Sequence, residues 1–189
     1  MRHLSYLLLL VAFVPALQGC FPVIAGGVGA GITLANDRRT SGIFIEDQSI
    51  ELKAQNRLAQ KLKDQVHINL TSYNLALLLT GEAPNDLLRT EVESIVQTVP
   101  NVRQVFNEVA IAPLSSLGNR SNDGYLTTKV KARMVEANKF NIVHVKVVTE
   151  ASVVYLLGSV TRKEAEEATE IARTTSGVIK IVRLFEYLD

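Results

Sequence analysis

Apolar positions along this chain form one N-terminal run and then two similar successions of helical and strand patterns. In residues 47–63, Ile50, Ala54, Leu58 and Leu62 recur every fourth residue, which predicts a helix with one buried stripe. Leu126, Val130, Met134 and Ala137 do the same in residues 123–137. The β-branched runs 66–72 and 142–149 read as strands, followed by apolar strands 75–80 and 152–157, each expected to end at a glycine, Gly81 or Gly158. Thr161-Arg162-Lys163-Glu164 is a capping box, so a helix should start at Arg162, and its counterpart near Pro84. Gly177 is expected to close the later helix from the left-handed C′ position. Strands 102–111 and 178–187 complete each set. The order helix, strand, strand, helix, strand occurs twice. It predicts an α+β protein of two tandem domains, each a three-stranded mixed sheet with two helices on one face.

The two successions align residue by residue. Val66-His67-Ile68-Asn69-Leu70 matches Val143-His144-Val145-Lys146-Val147 at an offset of 77, and Leu77 to Gly81 matches Val154 to Gly158 at the same offset. Asp47, Ile50, Lys53, Arg57 and Leu58 match Asp123, Leu126, Lys129, Arg133 and Met134 at 76, as do Val92, Ile95, Val96 and Val102 with Ala168, Ile171, Ala172 and Val178. The slip of one residue falls in loops, where length changes cost little. The boundaries read from this register are 47–112 and 123–189, joined by a Pro/Ser/Gly linker at 113–122.

The first residues follow another pattern. Arg2 and His3 precede the apolar stretch Leu4 to Leu17, too short to span a bilayer comfortably, and Leu17-Gln18-Gly19-Cys20 ends it at the only cysteine. This resembles the lipobox of bacterial lipoproteins. The resemblance implies a signal peptide at 1–19, acylation of Cys20, and, with Phe21 rather than Asp next, delivery to the periplasmic face of the outer membrane. Residues 20–46, with Gly26 to Gly31, then read as a flexible tether. Once 1–19 is removed, 19 basic and 19 acidic side chains remain, a balance that argues against nucleic-acid binding. One cysteine allows no intrachain disulfide.

Within the repeats, Leu79-Thr80-Gly81 with Pro100-Asn101-Val102, and Leu156-Leu157-Gly158 with Ser176-Gly177-Val178, resemble the motifs of the BON domain (bacterial osmotic and nodulation). The segment Ser121 to Lys131 adds a further local match. The resemblance covers residues 47 to about 187. It implies phospholipid interaction and a role in outer-membrane integrity.

Catalytic chemistry is not evident. The glycines at 26–31 lack the preceding strand and following Lys-Ser/Thr of a phosphate loop. His67 and His144 alternate with aliphatic residues and read as solvent-side or edge-strand positions, with no Cys cluster or HExxH to make a metal site. Glu164, Glu166, Glu167 and Glu170 read as the wet face of one helix, and no serine has a G-x-S-x-G setting. No enzyme, cofactor or metal is expected.

A partner surface is better indicated. Residues 46–112 carry a net charge of −3 and residues 123–189 a net charge of +1, so the second repeat better suits an anionic surface. At about 100° per residue, Tyr125, Thr128, Ala132 and Val135 fall opposite the predicted core, flanked by Lys129 and Lys131. Tyr125, Ala132 and Val135 correspond to Ser49, Asn56 and Ala59 of the first repeat. A tyrosine with basic neighbours suits a lipid headgroup region, although it could instead pack against the linker or the other domain. Two readings follow: docking on an anionic phospholipid membrane through the second domain, or a periplasmic adaptor or chaperone for envelope proteins with the lipid only as anchor. The oligomeric state is not legible in the sequence.

Overall fold

The computed structural model describes residues 36–189. The lipobox, Cys20, the signal peptide and most of the expected tether lie outside the described residues. The first repeat folds as α1 (Ser41–Leu62), a 3₁₀ turn, β1 (His67–Tyr73), β2 (Ala76–Ala83), α2 (Asp86–Gln97), β3 (Gln104–Asn107) and the short β4 (Ala110–Ile111). The second folds as α3 (Leu117–Ala137), a 3₁₀ turn, β5 (Val145–Glu150), β6 (Val153–Val160), α4 (Arg162–Arg173) and β7 (Lys180–Tyr187). β1 pairs antiparallel with β2, and β3 and β4 run parallel to it; β5 and β7 flank β6 in the same way. The sheets are mixed and the strands of the two repeats do not interleave.

Each first helix starts six residues before the expected domain boundary. Thr40 and Ser116 cap these starts by accepting from Ile43 N and Asn119 N. The chain is anchored even earlier. Arg39 bridges Asp37 and Asp47 at 2.7 and 2.9 Å and lies 4.2 Å from the Tyr73 ring centroid. Arg38 reaches Glu164 of the second repeat at 2.7 Å. Residues 37–46 are therefore part of the folded body, not tether.

Four further expectations change. Gly81 and Gly158 do not end their strands: β2 and β6 each run two residues beyond. A β-carbon there would stand 2.0 Å from His67 O or 2.3 Å from His144 O, so glycine permits the neighbouring backbone to approach. Gly177 (φ +101°) lies past the Thr174 cap, in a turn closed by Val178 N donating to Thr175 O. Asn101 (φ +68°) holds the same third position of the Val99–Val102 turn, and both fit the positive φ that type II turns require. The expected strand 102–111 breaks at Glu108, where Asn107 Oδ1 accepts from Val109 N instead of leaving it to the ladder. Residues 142–144 form a 3₁₀ turn because Asn141 caps Val143 N.

Three apolar layers result. α1 and α2 cover one face of the first sheet through Ile50, Leu62, Leu77, Val92 and Val96, and α3 and α4 cover the second through Val130, Met134, Leu156 and Ala168. The third layer joins the remaining faces of the two sheets: Tyr73 and Leu78 meet Tyr155 and Leu157, with Phe106, Val148 and Leu184 around them. β2 is buried along its whole length. This is why Leu77-Leu78-Leu79 is continuously apolar rather than alternating.

Two buried aspartates explain the repeat register. Asp47 accepts from Asn74 N and Leu75 N at 2.9 and 2.8 Å, and from Ser72 Oγ at 2.7 Å. Asp123 accepts from Ala151 N and Ser152 N at 2.9 Å each. Both hairpins place two consecutive non-glycine residues at positive φ. Each carboxylate holds the strained turn amides from the helix above.

Candidate functional site

The outer face of α3 carries the expected cluster. Tyr125 is 64% exposed and Val135 61%, and Thr128 and Ala132 are exposed between them. Leu117, 78% exposed, extends the same stripe two turns toward the N-terminus and lies outside the helix that the apolar spacing predicts from 123. Tyr125 packs against neither linker nor other domain. Its ring lies 6.0 Å from Lys129 Nζ, which also donates to Ser176 O at 3.0 Å.

Lys131 is placed differently. It projects from the side of α3 nearer the first repeat, where burial of its surroundings and the nearby Lys146 ammonium hold it below the usual lysine range. Its side chain is nonetheless exposed to solvent, at the flank of the Tyr125 stripe rather than within it.

The corresponding face of α1 is not bare. Ile45 is 65% exposed and Leu52, counterpart of Thr128, 59%. Its cation Lys53 is paired with Glu46 at 3.5 Å, and no aromatic residue lies among its exposed large apolar side chains.

His67 does lie on an edge strand, β1, and His144 in the turn before the edge strand β5, but neither is solvent-side. His67 Nδ1 lies 2.9 Å from Glu82 Oε2, with side chains 15% and 9% exposed, and His144 Nδ1 is 3.5 Å from Glu164 Oε1. Glu164 is no wet-face residue either. Hydrogen bonds from Arg38 first, then from the Thr161 backbone and hydroxyl, outweigh its desolvation and lower its pKa to about 2.

A cleft of about 610 Å³ opens between the two sheets and the linker, walled by Glu82, Glu108, Leu114, Glu150, Ser152 and Tyr155. Burial first, then the charges of Glu108 and Glu150, push the Tyr155 phenol up to about 12. The linker is pinned at its mouth, with Ser115 N donating to Glu82 Oε2 at 3.2 Å.

The sequence profile of the BON domain matches residues 46–113 and 122–189. The chain belongs to the BON-domain family. It is 36% identical to the outer membrane lipoprotein DolP of Haemophilus influenzae over 92% of this chain and 91% of that one. It is 28% identical to the 21 kDa hemolysin of Actinobacillus pleuropneumoniae over 81% of this chain and 80% of that one. Among solved structures, the C-terminal domain of CdsD, a structural protein of the type III secretion system of Chlamydia trachomatis, aligns with 73% of this chain and 96% of its own at 13% identity and a TM-score of 0.31. As a dual-BON, DolP-like protein the chain is lipid-anchored at the outer membrane. Among the described residues no helix is long and apolar enough to cross a membrane.

Proposed function

We propose that this chain is a non-enzymatic outer-membrane lipoprotein, acylated at Cys20, that docks on anionic phospholipid through α3 of its second BON domain and so supports envelope integrity. The observation that carries this reading is the exposed stripe Leu117, Tyr125, Ala132 and Val135 on a helix whose core side is filled. Burying such side chains in the headgroup region is favourable, by about 25 cal/mol per Å² of apolar surface removed from water. Lys129 and Lys131 flanking the stripe each add about 1 kcal/mol near an anionic surface, screened by salt. Acylation at Cys20 would supply the permanent anchor, leaving α3 to select lipid composition.

The test is binding of residues 36–189, without acyl chains, to phosphatidylglycerol vesicles. Tyr125→Glu should weaken binding at least tenfold with the fold intact, because the residue touches no core. The matching change on α1, Ser49→Glu, should leave affinity within about twofold. Equal effects of the two changes would defeat the assignment to α3, and no effect of either would put the adaptor reading ahead.

A further inference from the structure

His67, Glu82 and Glu150 bring one imidazole and two carboxylates together across the boundary between the BON domains, with donor atoms within 4.8 Å of one another. His67 lies at the start of β1 and Glu82 near the end of β2, facing each other as paired residues of the same hairpin. Glu150 comes from the last position of β5 in the second domain. The register of two sheets and the packing of one against the other create this convergence.

The electrostatics favour a cation. Glu82 and Glu150 are 7% and 6% exposed. Among the described residues neither forms an ion pair with a Lys or Arg, and His67 is the one basic group at the cluster. Arg120, which reaches the linker residue beside Glu82, is committed to Ser115 Oγ and O at 3.1 and 3.0 Å. Buried carboxylates without a full countercharge are costly, and a bound divalent ion would remove that cost. The carboxylates are also oriented. Asn69 Nδ2 and Thr80 Oγ1 donate to Glu150 Oε2 at 2.6 and 3.2 Å, and Ser115 N donates to Glu82. Such outer contacts hold ligands in place in metal sites.

The geometry points to a Zn²⁺ site formed by His67, Glu82 and Glu150 that staples the two BON domains together. An imidazole among the ligands favours zinc over Mg²⁺ or Ca²⁺, which take oxygen donors. Three protein ligands leave a fourth position open to water, and the cleft walled by Glu82 and Glu150 gives the ion an entry path. With ligands at about 2.0–2.2 Å, tetrahedral donors stand about 3.3–3.6 Å apart. The His67–Glu82 pair at 2.9 Å is already inside that spacing, so Glu150 has to approach by only about 1 Å. The role is structural: ligands from both domains bind only while the sheets are packed.

The test uses the full chain in detergent, carrying Cys20→Ser so that no thiol competes for zinc. Titration calorimetry with Zn²⁺ should give one ion per chain, and the transition temperature should rise by several degrees at saturating zinc. His67→Gln and Glu150→Gln, each able to keep the local hydrogen bonds, should weaken zinc binding at least tenfold and abolish the thermal shift, while circular dichroism remains that of the folded parent. Co²⁺ should give the visible bands of a four-coordinate site in the parent and lose them in both variants. Absence of stoichiometric zinc, equal binding in folded variants, or tighter binding of Mg²⁺ than Zn²⁺ at these residues would each overturn the assignment.

Discussion

The two BON domains share a register yet solve the same problems with different residues, and the differences show where the repeat has been specialised. Asp47 and Asp123 both cap a strained hairpin, but Asp47 also carries Arg39, which covers Tyr73 and fastens the chain entering the domain. Arg57 and Arg133 both run from the first helix to the end of the second. Arg57 donates to Thr98 Oγ1 at 2.6 Å, whereas Arg133 reaches Thr175 Oγ1, Thr174 Oγ1 and Ile171 O. On the outer faces, α1 exposes Ile45 and Leu52 beside a paired lysine, and α3 exposes Leu117, Tyr125 and Val135. What is common to both copies holds the fold, and what differs is placed on the surface or at the junction between domains.

The sharpest way to break the shared frame is at the strand glycines. A methyl group at Gly81 meets the His67 carbonyl of β1, and one at Gly158 the His144 carbonyl of the turn leading into β5, and neither backbone can yield without disturbing the adjoining ladder. Gly81 has the further cost of a φ of +112°, absent at Gly158. Overpacking and left-handed strain together make Gly81→Ala cost about 3–4 kcal/mol, and overpacking alone makes Gly158→Ala cost about 2–3 kcal/mol. Urea unfolding of residues 36–189 should reproduce that order. Equal losses would mean that the backbone conformation at Gly81 carries no strain of its own.

The hairpin aspartates give the next largest contrast. Asp47→Ala leaves two turn amides and the Ser72 hydroxyl without their acceptor and Arg39 with Asp37 alone, and Asp123→Ala leaves two amides. Unsatisfied buried groups make the expected costs about 3 kcal/mol and about 2 kcal/mol, readable as shifts in the urea midpoint. Asp→Asn should recover part of the loss at 123, where one amide oxygen can still accept, and less at 47, where Arg39 also loses one of its two carboxylate partners and keeps Asp37 alone.

Much of this frame is legible in the sequence, because helical stripes, strand runs and the repeated register each report local burial. Asp47 and Asp123 stand out in that register, although only the folded hairpins show what they accept. The start of α3 at Leu117 is obscured by Gly118, Asn119, Ser121 and Asn122, which carry no apolar period, and that of α1 at Ser41 by the contiguous Ile43-Phe44-Ile45, which does not show a helical spacing. The strand glycines imitate terminators, since proximity of a neighbouring carbonyl leaves no trace in a single strand. The sheet-to-sheet layer did leave a signal: continuous Leu77-Leu78-Leu79 and Val153 to Leu157 indicate burial on both faces. At the candidate sites, Tyr125, Thr128, Ala132 and Val135 are readable from helical geometry, whereas Lys131 requires knowing where the first domain sits. His67, Glu82 and Glu150 are separated by strands and a domain boundary, so no local motif joins them.

The smallest contrast is acidic. Glu164 is the third residue of α4, and its counterpart at the same position of α2 is Leu88, which accepts nothing from Arg38. The Glu164 carboxyl titrates near 2 in the folded chain, below its ordinary 4.5, chiefly because Arg38 hydrogen-bonds to it. A folded-state pKa below the unfolded one stabilises the fold above about pH 4.5, and that stability is lost as pH falls toward 2. Since the pair is within reach of solvent, the full shift overstates its worth, and about 1 kcal/mol is the expected contribution. Arg38→Ala and Glu164→Gln should each flatten the decline in urea midpoint between pH 5 and 2.5 by about that amount, and the double change should do no more than either alone. The matching substitution on α2, Leu88→Gln, should leave the slope of that decline unchanged while lowering stability at every pH, because it removes apolar contact and adds no titrating group. A slope that survives Arg38→Ala would place the acid sensitivity in other carboxylates and separate the segment before α1 from the second domain's helix cap.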